Sequence, residues 1–163
     1  MNEEPPGVSI TTIAELIAGV ESFAGLDEVQ LELIAACGRL VRFGENEYLM
    51  REGDPADTFY LLRAGAVALE VHGPGRGALV IETLDPGEVV GWSWLFPPYR
   101  CELDVRTLEP CGLIAFDGAC LRGKCDSDHE LGYQLMRRFA ANVIHRLQAT
   151  RLQLLDVYGH AVT

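Results

Sequence analysis

The feature that most constrains the fold is the texture of the stretch from Leu40 to Phe116. Apolar and β-branched runs there stay short, and turn signals keep interrupting them: Gly44-Glu45-Asn46, Glu52-Gly53-Asp54-Pro55, Ala64-Gly65, Gly73-Pro74-Gly75-Arg76-Gly77, Asp85-Pro86-Gly87 and Pro97-Pro98. Many short strands at this spacing predict an antiparallel sandwich or barrel. Val67-Ala68-Leu69-Glu70-Val71 and Leu79-Val80-Ile81-Glu82 flank the glycine-rich segment and read as a hairpin. Phe59, Leu61, Val67, Leu69 and Val71 are expected to alternate inward. Gly65, Gly87 and Gly91 are expected at corners, where a strand bends or φ turns positive.

Both flanks read as helical. Thr12 and Glu15 have capping-box spacing, and Ile13, Leu16, Ile17 and Val20 follow at helical period until Gly25. A second helical stretch offers Val29, Leu31, Leu33, Ile34 and Cys37 to the core, with Gly38 as its stop. Ser127 with Glu130 repeats the capping-box spacing and opens a helix of about 30 residues that lacks proline. Along it Met136, Ala140, Val143, Leu147, Thr150, Leu154 and Val157 alternate spacings of four and three, an a/d seam. Such a seam can pack on its own roll or on a partner helix; a helix this long overhangs a small roll, so a second copy, forming a homodimer, is the favoured expectation. Arg137, Arg138, Arg146 and Arg151 read as a solvated face. The expected organisation is a loose arm (1–10), N-terminal helices (11–39), a β-roll (40–116), a connector or short helix (117–126) and a long dimerisation helix (127–158). The fold class is mixed α+β.

The chain has 163 residues, enough for one hydrophobic core and too few for two ordinary domains. A net charge of -11 argues against nucleic acid as a partner. Apolar stretches fall far short of the roughly 20 residues that span a bilayer, and Met1-Asn2-Glu3-Glu4-Pro5-Pro6 has no apolar signal core. A cytoplasmic protein without membrane contact is therefore expected. Cys37, Cys101, Cys111, Cys120 and Cys125 are odd in number, which points to free, mostly buried thiols rather than a disulfide framework.

One segment is specific. It runs from Phe43-Gly44 through Glu52-Gly53-Asp54 and Phe59-Tyr60-Leu61-Leu62 to Gly65, and Leu84-Asp85-Pro86-Gly87-Glu88-Val89-Val90-Gly91 follows it. This pattern resembles the cyclic-nucleotide-binding domains, over roughly residues 20 to 158. The last helix resembles the dimerisation helix of their catabolite-activator branch. The resemblance implies an antiparallel β-roll, jelly-roll or cupin-like, and a regulatory role. It places a ligand-binding cassette over Val90, Gly91, Trp92, Ser93, Trp94, Leu95, Arg100, Cys101 and Glu102.

The cassette departs from the family's pattern. Trp92 stands where the family has the glutamate that accepts from the ribose hydroxyl. Arg100 is a candidate for the phosphate arginine, but backward alignment from Val105-Arg106-Thr107 puts Cys101 there, and a one-residue bulge would reconcile the two. Cys101 and Glu102 replace a small pair. Trp92, Trp94 and Phe96 either fill the pocket or line it for a flatter, less polar ligand. Three readings stay open: a filled, ligand-free pocket; a small effector other than cyclic AMP; or a cyclic nucleotide held in an altered way. No resident cofactor is implied.

A cupin-type metal enzyme would need two histidines one residue apart on a strand, plus a further His and a Glu. His72, His129, His145 and His160 contain no such pair, so no catalytic or metal residues are assigned. Cys120, Cys125 and His129 cluster near a helix start; they do not complete a structural zinc site, and the two cysteines read as buried or partly exposed thiols, with zinc, haem or oxidant sensing as the open alternative. The catabolite-activator branch carries a helix-turn-helix domain after its dimer helix, whereas Gly159 to Thr163 are all that follow here. Output is therefore expected through a protein partner.

Overall fold

The computed structural model describes residues 12–75 and 77–161. The expected N-terminal arm lies outside them. Three short helical elements come first: α1 (Ile13–Ala18), a 3₁₀ turn (Glu21–Phe23) and α2 (Glu28–Ala35). Thr12 caps α1 by accepting from the Glu15 N–H at 3.2 Å. Asp27 and Gln30 form a full capping box on α2. Of the core positions expected on α2, Ile34 and Cys37 are buried, whereas Val29 is 66% exposed. The helix ends before Gly38, which already belongs to β1.

Among the described residues eight strands follow: β1 (Gly38–Phe43), β2 (Tyr48–Met50), β3 (Thr58–Ala64), β4 (Val67–Gly73), β5 (Gly77–Leu84), β6 (Val89–Val90), β7 (Asp104–Thr107) and β8 (Cys111–Asp117). They form two four-stranded sheets, ordered β1-β8-β3-β6 and β2-β7-β4-β5, with every pair antiparallel. This is the expected roll of jelly-roll type. The hairpin is β4–β5, closed at Gly73↔Gly77. Gly65, Gly87 and Gly91 take φ of +91°, +97° and +91° at the corners.

The simple inward alternation along β3 does not hold. Phe59, Tyr60, Leu61 and Leu62 are all buried. β3 is paired on both edges, by β8 and β6, and both of its faces are covered. Phe59 and Leu61 pack with the helices and with Ile114 and Phe116. Tyr60 and Leu62 pack into the roll with Val67, Leu69, Val105 and Leu113. Val71 is only half-buried.

After β8 come α3 (Gly118–Ser127) and α4 (His129–Ala161). Ser127 is not the cap of the long helix, because it closes α3. Asp128 stands between the two and accepts from the Leu131 N–H at 3.1 Å. Two arginines on α4 are not solvated, contrary to the sequence reading. Arg138 donates to the Ser22 carbonyl at 3.0 Å, to the Gln134 carbonyl at 2.9 Å and to the Ala24 carbonyl. Arg146 pairs with Glu82 on β5 at 2.9 Å. Farther along, Gln153 donates to the Ile81 carbonyl at 3.0 Å. The long helix thus lies first against the N-terminal helices and then along the hairpin.

The expectation of five free thiols is also corrected. Cys37, just after α2, is disulfide-bonded to Cys120 in the first turn of α3, 83 residues away in sequence. Cys101, Cys111 and Cys125 are free.

Candidate functional site

The site begins where β6 ends. Gly91 takes φ +91°, and a Cβ there would stand 3.0 Å from the terminal methyl of Met50, so only glycine suits this corner. Trp92, a 3₁₀ turn (Ser93–Leu95) and a cis Pro97–Pro98 peptide follow. The returning segment is pinned to the β2–β3 turn. Ala56 N–H donates to the Tyr99 carbonyl at 2.8 Å, Gly53 N–H to the Cys101 carbonyl at 2.8 Å and Cys101 N–H to the Asp54 carbonyl at 2.9 Å.

Aromatic packing decides where the indoles go. Trp94 stacks on Phe59 at 4.6 Å, and Phe59 stacks on Phe116 at 4.9 Å, so Trp94 is core. Trp92 meets Phe139 of α4 edge-on at 5.6 Å, and Phe139 lies 4.4 Å from Phe96. α3 braces the loop from behind. Arg122 donates to the Trp94 carbonyl at 2.6 Å, and its guanidinium lies 4.2 Å from the centre of the Tyr99 ring.

A cavity of about 270 Å³ remains between the roll, this loop and α4. Met50, Leu69, Leu103 and Val105 form its roll side. The loop contributes Gly91, Trp92, Ser93, Phe96, Arg100 and Glu102, and α4 contributes Phe139, Asn142, Val143 and Arg146. Five of the cassette positions named from sequence therefore meet at one cavity: Gly91, Trp92, Ser93, Arg100 and Glu102. The other four do not line it. Val90 and Trp94 are buried in the two cores, Leu95 packs on the helical one, and Cys101 is 6% exposed and turned away into the core. Arg100, not Cys101, borders the space. Its Nη1 donates to the Gly53 carbonyl at 3.4 Å.

The sequence profile of the cyclic nucleotide-binding domain matches residues 40–128, from β1 to the start of α4. The chain belongs to the cyclic nucleotide-binding domain family. It is 30% identical to a Geobacter metallireducens GS-15 protein of known structure described as a cyclic nucleotide-binding protein, with 78% of this chain and 92% of that one covered and a TM-score of 0.71. A cyclic nucleotide-binding domain from Methylobacillus flagellatus KT shares the fold at 16% identity, with 89% of this chain and 82% of that one covered and a TM-score of 0.74. A CRP-like cAMP-activated global transcriptional regulator of Mycobacterium tuberculosis is 22% identical over 88% of this chain, which spans 62% of that regulator's length.

Within this cyclic nucleotide-binding domain, sequence reasoning missed the α4 wall. Phe139, Asn142, Val143 and Arg146 repeat at i, i+3, i+4 and i+7, which is one helical face. The heptad pattern, which shares Val143 with this face, is the stronger periodic signal. That seam is open to solvent in the single chain. Met136, Val143, Leu147, Leu154 and Val157 are between 41% and 67% exposed, and Ala140 and Thr150 are exposed as well.

Cys120 is held in the disulfide and takes no part in a cluster with Cys125 and His129. Burial, then the carboxylates of Asp126 and Asp128, push the Cys125 thiol up to about 11. Such a thiol stays protonated near neutral pH and is a poor nucleophile. Among the described residues no helix is long and apolar enough to cross a membrane.

Proposed function

We propose that this domain is a ligand-sensing regulatory module. Its cavity takes a small effector other than cyclic AMP, and its output is the geometry of a homodimer formed through α4 and read by a protein partner. The observation that carries this reading is the open cavity beside Gly91, Trp92 and Arg100. A scaffold that had lost its ligand would fill that space, and the indoles do not fill it. Trp94 is spent in the core and Trp92 forms a wall.

Native mass spectrometry tests both halves together. The expected species is a dimer that retains a small molecule. Leu147→Asp, which places a carboxylate in the seam, is expected to give a monomer at micromolar concentration, because an unpaired buried charge costs several kcal/mol. A wild-type monomer would remove the dimer from the proposal.

Arg100 at the cavity favours a second reading, a genuine cyclic-nucleotide site. Two features weigh against it. The indole of Trp92 has one donor and no acceptor, so it cannot accept from a ribose hydroxyl as the family's carboxylate does. Losing a charged hydrogen-bond partner costs roughly 1.5–3 kcal/mol, about 10- to 150-fold in affinity. Glu102, exposed and lining the same cavity, repels a phosphate. Calorimetric titration separates the readings. Micromolar binding of cyclic AMP or cyclic GMP, abolished by Arg100→Ala, would make this an ordinary cyclic-nucleotide sensor.

A further inference from the structure

We propose that the cavity between the loop and α4 takes an uncharged, largely apolar molecule of roughly two or three rings, carrying one hydrogen-bonding N–H or O–H group. The proposal rests on the sensing function above and names the chemistry of the effector.

The charges come first. Four features bear on an anion at this site. Arg146 reaches the cavity, but its guanidinium is engaged by Glu82 at 2.9 Å. Arg100 is exposed, as is Glu102 two residues on, and both border the space. Between them the two arginines and the two carboxylates leave no net positive charge. An anion entering here would find no uncommitted cation except Arg100, and that one shares the space with a carboxylate. Desolvating an anion under those conditions is unfavourable.

The backbone offers no substitute. The Ser93–Leu95 turn is three residues of 3₁₀ geometry, with few aligned peptide dipoles to attract a negative group. The space over Gly91 is held by the Met50 thioether, whose methyl lies 3.0 Å from where a Cβ would stand. What remains is apolar wall: Leu69, Leu103 and Val105 on the roll, Phe96 on the loop, and Phe139 and Val143 on the helix.

Two lining residues carry a buried polar atom without a partner, the Trp92 Nε1 and the Asn142 Oδ1. A buried group left unpaired is costly; a ligand N–H or O–H would donate to the Asn142 Oδ1, whereas the Trp92 Nε1–H needs an acceptor, which an O–H oxygen supplies and a diarylamine N–H does not. A volume of about 270 Å³ suits a compact ligand of this kind.

A matched pair of fluorescent probes tests the proposal on the full chain. N-Phenyl-1-naphthylamine is uncharged and carries one N–H. 8-Anilinonaphthalene-1-sulfonate has the same ring skeleton with one sulfonate added. The expected result is one saturable site per chain for the uncharged probe, at least about tenfold tighter than for the sulfonate. Leu103→Phe and Val143→Phe fill the cavity from opposite walls. Either one, once circular dichroism shows it folded, is expected to weaken the uncharged probe at least about tenfold. A site that survives both fillings overturns the proposal, since the probe then sits on the exposed face of α4. Tighter binding of the sulfonate, lost in Arg100→Ala, overturns the uncharged class and leaves the sensor reading standing, whereas tighter binding of cyclic AMP, lost in Arg100→Ala, overturns the uncharged class and makes the domain an ordinary cyclic-nucleotide sensor. No saturable site for either probe or for cyclic AMP overturns this proposal and the sensor reading together.

Discussion

Removing the Cys37–Cys120 bond is expected to cost stability through the unfolded chain more than through the fold. The bond closes a loop of 83 residues. Chain entropy for a loop of that length corresponds to about 4–5 kcal/mol. In the folded protein the same junction has non-covalent support. Asp117 N–H donates to the Cys37 carbonyl at 2.9 Å, and Lys124 Nζ donates to the Leu33 carbonyl at 2.7 Å. The double variant Cys37→Ala/Cys120→Ala should therefore keep its near-native spectrum and lose most of that free energy. Urea unfolding followed by tryptophan emission is the assay, with buried Trp94 as the reporter. At a slope of about 2 kcal/mol per molar urea, the midpoint should fall by roughly 2 M. Dithiothreitol should bring the wild type to the variant's midpoint and leave the variant unmoved. Equal midpoints for the wild type with and without reductant would refute the reasoning, because the two sulfurs would then not be joined in the folded protein.

Three further outcomes are expected. Arg138→Ala, which strips donors from the Ser22, Ala24 and Gln134 carbonyls, should lower stability by about 2–3 kcal/mol in the same assay; exposed Arg137→Ala should stay within about 0.5 kcal/mol. Arg106→Ala should lower the urea midpoint measurably, since it leaves Glu70, 2% exposed and bonded at 2.9 and 3.2 Å, without its guanidinium partner, and Glu70→Gln in the same background should recover part of the loss. Cys125, with its folded pKa pushed up to about 11, holds its proton more tightly in the folded state; its stabilising contribution should be complete below the ordinary thiol value and disappear as pH rises towards 11, a loss that Cys125→Ala should reduce. At pH 8, mass-spectrometric mapping after iodoacetamide treatment should find Cys125 labelled far more slowly than an unfolded thiol.

The roll was legible because its punctuation is local. Glycines at Gly65, Gly87 and Gly91 take the positive φ that a corner requires, and such a requirement shows in the residue itself. Two other features depend on partners far away in sequence. β3 lost its alternation because β8 and β6 flank it and both faces are covered, so Tyr60 and Leu62 are as deep as Phe59 and Leu61. Cys37 and Cys120 meet because β1 and β8 pair with Gly38 opposite Phe116, which brings the end of α2 to the start of α3. No spacing rule spans such a distance. At the site the loop half of the cavity was legible at Gly91, Trp92 and Arg100. Its separation into core and lining positions was not, because the fate of each indole depends on whether Phe59 or Phe139 stands opposite it.

The α4 helix joins the two halves of the proposed function through side-chain geometry. Phe139, Asn142, Val143 and Arg146 face the cavity, whereas Met136, Ala140, Leu147 and Thr150 continue the exposed seam. Val143 belongs to both sets: it lines the cavity and is 42% exposed. A molecule that enters the cavity must contact Phe139 and Val143 on one side and Trp92 and Phe96 on the other. Farther along, Arg146 and Gln153 tie the helix to Glu82 and Ile81 of β5. These ties limit independent sliding of that half of α4, so a displacement at Phe139 carries the hairpin with it or breaks the Arg146–Glu82 pair. A ligand shifts such an equilibrium only by its differential affinity for the two positions of the helix. The residues able to supply that difference are the aromatic contacts at Phe139, which a larger or smaller apolar ligand would compress or leave slack. On the proposed sensing function, effector size at these contacts is therefore expected to set how far α4 moves.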